Sequence, residues 1–129
     1  MAFSLKEYDI IRGKQIFYEL LKDEKSFLQD FILEIKSNPQ YVSEYKTILT
    51  YMELVANNNG VPNTKFKPLK GNKDGYNEYE FKSKHLRIYL IHLPPHGKII
   101  ILGGYKNQQP EDITKFRSLK KQYLISLNL

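Results

Sequence analysis

The chain has 129 residues, enough for one domain with its own core, and carries 20 basic against 14 acidic residues for a formal charge of +6. It has no cysteine, which excludes disulfides, thiolate metal sites and cysteine nucleophiles and fits a reducing compartment. The charge is unevenly spread: residues 1–64 hold seven basic and nine acidic side chains, residues 65–129 thirteen and five. The second half is therefore the part suited to an anionic partner.

In chain order, residues 3–13 show a strand-like pattern ending at Gly13, and residues 15–22 (QIFYELLK) predict a first strand. Asp23 or Ser26 then caps a helix with Phe27, Leu28, Phe31, Ile32 and Ile35 on one face. Asn38-Pro39 stops it, and Ser43 opens a second helix that presents Tyr45, Ile48, Leu49, Met52 and Val55 and ends at a Gly60 cap. The two form a helical hairpin that covers one face of a sheet. Residues 60–76 read as a connector anchored by Phe66 and Leu69. Three strands follow, at about 77–82, 86–93 and 98–104, with Gly103-Gly104 ending the last. Gln109-Pro110-Glu111-Asp112 starts a final helix. Its apolar face is Ile113, Phe116, Leu119, Tyr123 and Leu127, and Lys115, Arg117, Lys120 and Lys121 lie outside. The expected class is a single α+β domain over residues 1–129, in the order β-α-α-β-β-β-α. The N-terminal stretch lacks the apolar segment of a secretory signal, and no apolar run approaches a membrane span. A soluble cytoplasmic protein with no membrane partner is the expectation.

The chemistry follows from the cations. Side chains alternate along a strand, so Arg87 and Tyr89 face away from Leu86, Ile88 and Leu90. Lys82, Lys84 and His85 stand at the bend before that strand, and Lys106 follows the last one. Strand ends of an antiparallel meander come together, so these groups are expected in one polar patch. Arginine and lysine hold a phosphate and stabilise its extra transition-state charge. Tyrosine stacks on an unpaired base, and histidine or lysine moves a 2′-hydroxyl proton. The three histidines lack metal-ligand spacing, so no metal and no cofactor are expected. No serine sits in a nucleophile motif. Glu78 and Glu80 read as alternating charge on a solvent-facing strand.

The run Phe66–Tyr123, through FKPLKG, YEFKSKHLRIYLI and KIIILGGYKNQQPEDITKFRSLKKQYL, resembles the RelE/HigB-type toxins of bacterial toxin–antitoxin pairs, and most of all the HigB branch. The resemblance implies a RelE/ParE-like domain, with helices packed on one face of a small, mostly antiparallel curved sheet. It implies a metal-independent endoribonuclease that cuts mRNA on the translating ribosome and is neutralised by an antitoxin, often a helix-turn-helix protein. Arg87 matches the mid-strand arginine that contacts the scissile phosphate, and Lys106 the basic residue after the apolar strand. Lys106 stands alone where many relatives carry two or three consecutive basic residues. The catalytic set expected is Arg87, Lys106, Lys84 and His85, with Lys82, Tyr89, Tyr105 and Lys98 on RNA. Two alternatives keep the architecture: a ParE-like toxin that poisons DNA gyrase, and an inactive relative that only binds an antitoxin.

Overall fold

A computed structural model describes residues 2–129. The described residues form an α+β domain with a mixed sheet of seven strands and three α-helices. The strands are β1 (Phe3–Glu7), β2 (Phe17–Lys22), β3 (Lys25–Ser26), β4 (Phe66–Pro68), β5 (Glu78–Lys82), β6 (Leu86–Leu93) and β7 (Gly97–Tyr105). The helices are α1 (Phe27–Ile35), α2 (Pro39–Ala56) and α3 (Gln109–Ser126), the last preceded by a 3-10 turn at Lys106–Gln108. The sheet order is β1-β2-β7-β6-β5-β4, with β3 paired to β2. Among the described strands only β2 and β7 run parallel.

The chain order departs from the expected one in three added strands: β1, β3 and β4. Asp23 and Glu24 both take positive φ, 51° and 69°, and so form the two-residue turn that joins β2 to β3. Ser26 caps α1, its Oγ accepting from Gln29 N at 3.1 Å. Asn38 caps α2 through Tyr41 N at 3.2 Å. Pro39, expected to stop the first helix, is thus the first residue of the second, where its missing N–H costs nothing. At the other end Asn58, not Gly60, takes the left-handed conformation, with φ 61°.

β6 is buried along almost its whole length because both faces are covered. Leu86, Ile88 and Leu90 pack with Phe31 and Ile35 of α1 and Ile48 and Met52 of α2. Tyr89, Ile91 and Leu93 pack with Phe116, Leu119 and Tyr123 of α3. The expectation of helices on one face is therefore corrected: the hairpin occupies one face, and α3 can bury its own apolar side only on the other. The Gly103-Gly104 pair lies inside β7, which continues to Tyr105. A Cβ on Gly103 would collide with the Phe31 ring, and one on Gly104 with the Asp112 carboxylate, so the glycines let both helices close down.

Covering the second face also buries charge. Glu78 and Glu80, expected at a solvent-facing surface, are 3% and 2% exposed. Arg117 and Lys120 of α3 pair with Glu78 at 2.9 and 3.0 Å. Lys120 is fully buried, against the expectation that it lies outside; it falls four residues after Phe116 and four before Leu124, on the same helical face. Three buried atoms here lack a hydrogen-bond partner among the described residues: Arg87 Nε, Tyr89 Oη and Asp112 Oδ2. No described helix is long and apolar enough to cross a membrane.

Candidate functional site

At one end of the sheet, the β5–β6 bend, the end of β7 and the start of α2 enclose a cleft of about 440 Å³. It is lined by Tyr41, Lys84, His85, Tyr105, Lys106, Asn107 and Gln108. Four residues expected in the site from sequence are thus brought together: Lys84, His85, Tyr105 and Lys106.

The cleft is built around one carboxylate. Glu44, on the buried side of α2, accepts from Ser83 Oγ at 2.6 Å, His85 N at 2.7 Å and Gln40 Nε2 at 2.9 Å, and lies 2.6 Å from His85 Nδ1. A carboxylate can only accept here, so Nδ1 carries the proton and Nε2 is left as the free acceptor of the neutral ring. The bend is held further by Leu86 N on Ser83 Oγ at 3.1 Å. Lys106 N donates to His85 O at 2.8 Å, joining the 3-10 turn to the bend. An aromatic series crosses the cleft: His85 to Tyr41 and Tyr41 to Tyr105, each 5.5 Å between ring centres, and Tyr105 to Phe31 at 5.3 Å.

Burial alone would raise the Glu44 carboxyl, but hydrogen bonds from His85, Ser83 and Gln40 outweigh it and hold it at about 2. Glu44 therefore binds its proton more weakly folded than unfolded. Its contribution is fully present above the ordinary value of 4.5 and is lost as pH falls towards 2. That contribution is up to about 3 kcal/mol. Urea unfolding between pH 5 and pH 2.5 is expected to show this loss, and Glu44→Gln to show a shallower acid limb.

The other expected site residues lie elsewhere. Arg87 and Tyr89 do share the face opposite Leu86, Ile88 and Leu90, but α3 covers it: they are 5% and 0% exposed. Arg87 is turned back on its own backbone, Nη1 donating to Ser83 O at 2.6 Å and Leu86 O at 2.8 Å. Its Nε lies 3.8 Å from Glu80 Oε1. Burial, then the Glu80 and Asp112 charges, push the Tyr89 hydroxyl upward. Lys98 stands at the far end of β7, about 23 Å along the strand from Tyr105. Its ammonium donates to Gln15 Oε1 at 3.0 Å and lies 3.2 Å from His92 Nδ1, and burial lowers its pKa. Lys82 is half-buried beside the cleft; burial and then the charge of Lys67 lower its pKa, with Arg87 and Lys106 adding to the effect.

Three lining residues, Tyr41, Asn107 and Gln108, and the supporting Glu44 were not among those expected from sequence. Glu44 carries a legible signal: it lies four residues before Ile48 and eight before Met52, on the inner face of its helix. Among the described residues no group of three or more His, Cys, Asp or Glu is placed to hold a metal ion. Compared with protein-family models, curated proteins and solved structures, the chain matches none. The cleft combines a partly exposed imidazole oriented by a buried carboxylate with two lysines and two tyrosines.

Proposed function

We propose that this chain is a metal-independent endoribonuclease of the RelE/HigB toxin type, acting on mRNA at the ribosome and held inactive by a small helix-turn-helix antitoxin. The observation that carries the reading is the Glu44–His85 pair opening on a cleft with Lys84 and Lys106. His85 Nε2 takes the proton of a 2′-hydroxyl while Glu44 holds the ring in the required tautomer. The 2′-oxygen attacks the adjacent phosphorus and the bond to the 5′-oxygen breaks. The products are a 2′,3′-cyclic phosphate and a 5′-hydroxyl, the latter protonated by the imidazolium. Lys84 and Lys106 balance the charge gathering on the phosphoryl oxygens. Tyr41 and Tyr105 offer ring faces to an unpaired base.

Arg87 has a different part in this reading from the one the resemblance gives it. Its guanidinium is spent on the carbonyls of Ser83 and Leu86, which bracket Lys84 and His85. It acts as a positioning residue for the bend. The helical hairpin followed by the antiparallel β5-β6-β7 meander supports a RelE/ParE-like arrangement, as does the basic excess of residues 65–129.

The test is brief induction in a bacterial host, with mapping of mRNA 5′ ends, alongside incubation of the purified protein with single-stranded RNA. New 5′-hydroxyl ends within coding regions, with cyclic-phosphate partners, are expected. Intact RNA in both experiments overturns the reading, and DNA breaks with filamentation would assign the chain to gyrase-poisoning toxins instead.

A further inference from the structure

Away from the cleft, the middle of α3 is fastened by charge. The Lys120 ammonium, on a residue only 1% exposed, sits among four oxygens: Tyr76 O at 2.6 Å, Asp74 Oδ1 at 2.7 Å, Glu78 Oε2 at 3.0 Å and Asn72 Oδ1 at 3.1 Å. The accepting oxygens come from every second residue of one short segment. Calcium-binding loops use this alternate spacing for their leading ligands, with a glycine at the sharp turn; here the turn glycine, Gly75 at φ +81°, falls two positions earlier than in those loops.

The loop is shaped by its own bonds. Tyr76 N donates to Asp74 Oδ1 at 2.9 Å and Asn72 Nδ2 to Tyr76 O at 2.7 Å, which aims those oxygens at a common centre. Charge closes as well. Arg117 takes the other oxygen of Glu78 at 2.9 Å and Lys70 O at 2.6 Å. Two carboxylates thus face two cations, and removing Lys120 leaves the buried Glu78 with Arg117 alone and the part-exposed Asp74 without its cation.

We infer that residues 72–78 form a cation-binding loop whose cation is the chain's own Lys120 ammonium, and that the same oxygens accept a free small cation once that side chain is cut back. The loop is a latch: it closes around α3 and fixes the helix over β5. This holds whatever the cleft does. The oxygen distances of 2.6–3.1 Å suit an ammonium ion as they stand. Calcium, which takes oxygens at about 2.3–2.6 Å, requires the loop to contract by a few tenths of an ångström.

The experiment is thermal unfolding of the full chain and of Lys120→Ala, each titrated with methylammonium chloride and, separately, calcium chloride, against sodium chloride at matched ionic strength. Lys120→Ala is expected to melt roughly 10 °C below wild type and to recover part of that saturably with methylammonium or calcium, while wild type responds to neither. Adding Asp74→Asn to Lys120→Ala is expected to abolish the recovery. A Lys120→Ala protein that answers both cations as wild type does overturns the inference. So does Lys120→Met, which keeps the stem and removes the charge, if it is as stable as wild type. Should Lys120→Ala not fold, Asp74→Ala decides, since Asp74 is 42% exposed and its loss spares the core. Faster amide exchange over residues 72–77 supports the latch, and unchanged exchange there overturns it.

Discussion

Replacing His85 with alanine is expected to slow cleavage of single-stranded RNA by about 10²–10⁴-fold, the usual contribution of a positioned general base. The fold is expected to survive, because Glu44 keeps three donors when the imidazole is gone: Ser83 Oγ, the residue-85 backbone N–H and Gln40. Melting temperature should therefore move by only a few degrees while the single-turnover rate collapses. Added imidazole, free to enter the vacated position beside Glu44, is expected to restore part of the rate. Glu44→Gln tests the other half of the pair. A glutamine keeps the shape but no longer stabilises the imidazolium, so kcat is expected to fall by about ten- to a hundredfold with KM little changed. A His85→Ala protein that cleaves at the wild-type rate would remove the basis for the proposed mechanism.

The second large effect is expected at Arg87, and in stability before activity. Its guanidinium lies between Glu80 and the β5–β6 bend, beneath α3. Arg87→Ala leaves the Glu80 carboxylate buried with Gln109 Nε2, at 3.1 Å, as its remaining side-chain donor. Tyr89 Oη and Asp112 Oδ2 are also buried without a hydrogen-bond partner among the described residues. Stranding a buried charge in this way costs about 3 kcal/mol or more, measurable as a fall in the urea midpoint with an unchanged slope. An arginine that contacts the scissile phosphate would behave in the opposite manner, losing rate and keeping stability. Replacing both partners, Arg87→Met with Glu80→Met, is expected to recover most of the lost stability, since removing both charges removes the uncompensated one. Measuring cleavage and unfolding on the same variants separates a positioning role from a contact role.

Much of the fold was legible locally. The meander strands fall within a residue or so of where alternation and apolar runs place them, and of the two cap candidates, Asp23 and Ser26, it is Ser26 that caps α1. The misses have physical causes. Pro39 reads equally as a helix stop and as a first helical residue, and only the Asn38 cap decides between them. Gly103-Gly104 reads as a strand end, but the glycines are there to admit Phe31 and Asp112 from opposite sides. Lys120 was placed outside by its charge, although its position four residues after Phe116 puts it inside.

Of the candidate site, the sequence alone placed Lys84, His85 and Lys106 near one another, because they flank the ends of paired strands, and it named Tyr105 as an RNA contact. It also determined that Arg87 and Tyr89 point away from Leu86, Ile88 and Leu90, since parity along a strand is a local property. What covers each face is not local. Only the packing of α3 on the second face turned Arg87, Glu78, Glu80 and Lys120 from surface charges into buried partners. Only the docking of α2 against the β5–β6 bend brought Tyr41 and Glu44 to His85. Lys98 was separated from the others for a related reason: it shares a strand with Tyr105, but at the opposite end of the sheet. Residue patterns specify which way a side chain points, whereas its exposure and its partners depend on which distant element packs over it.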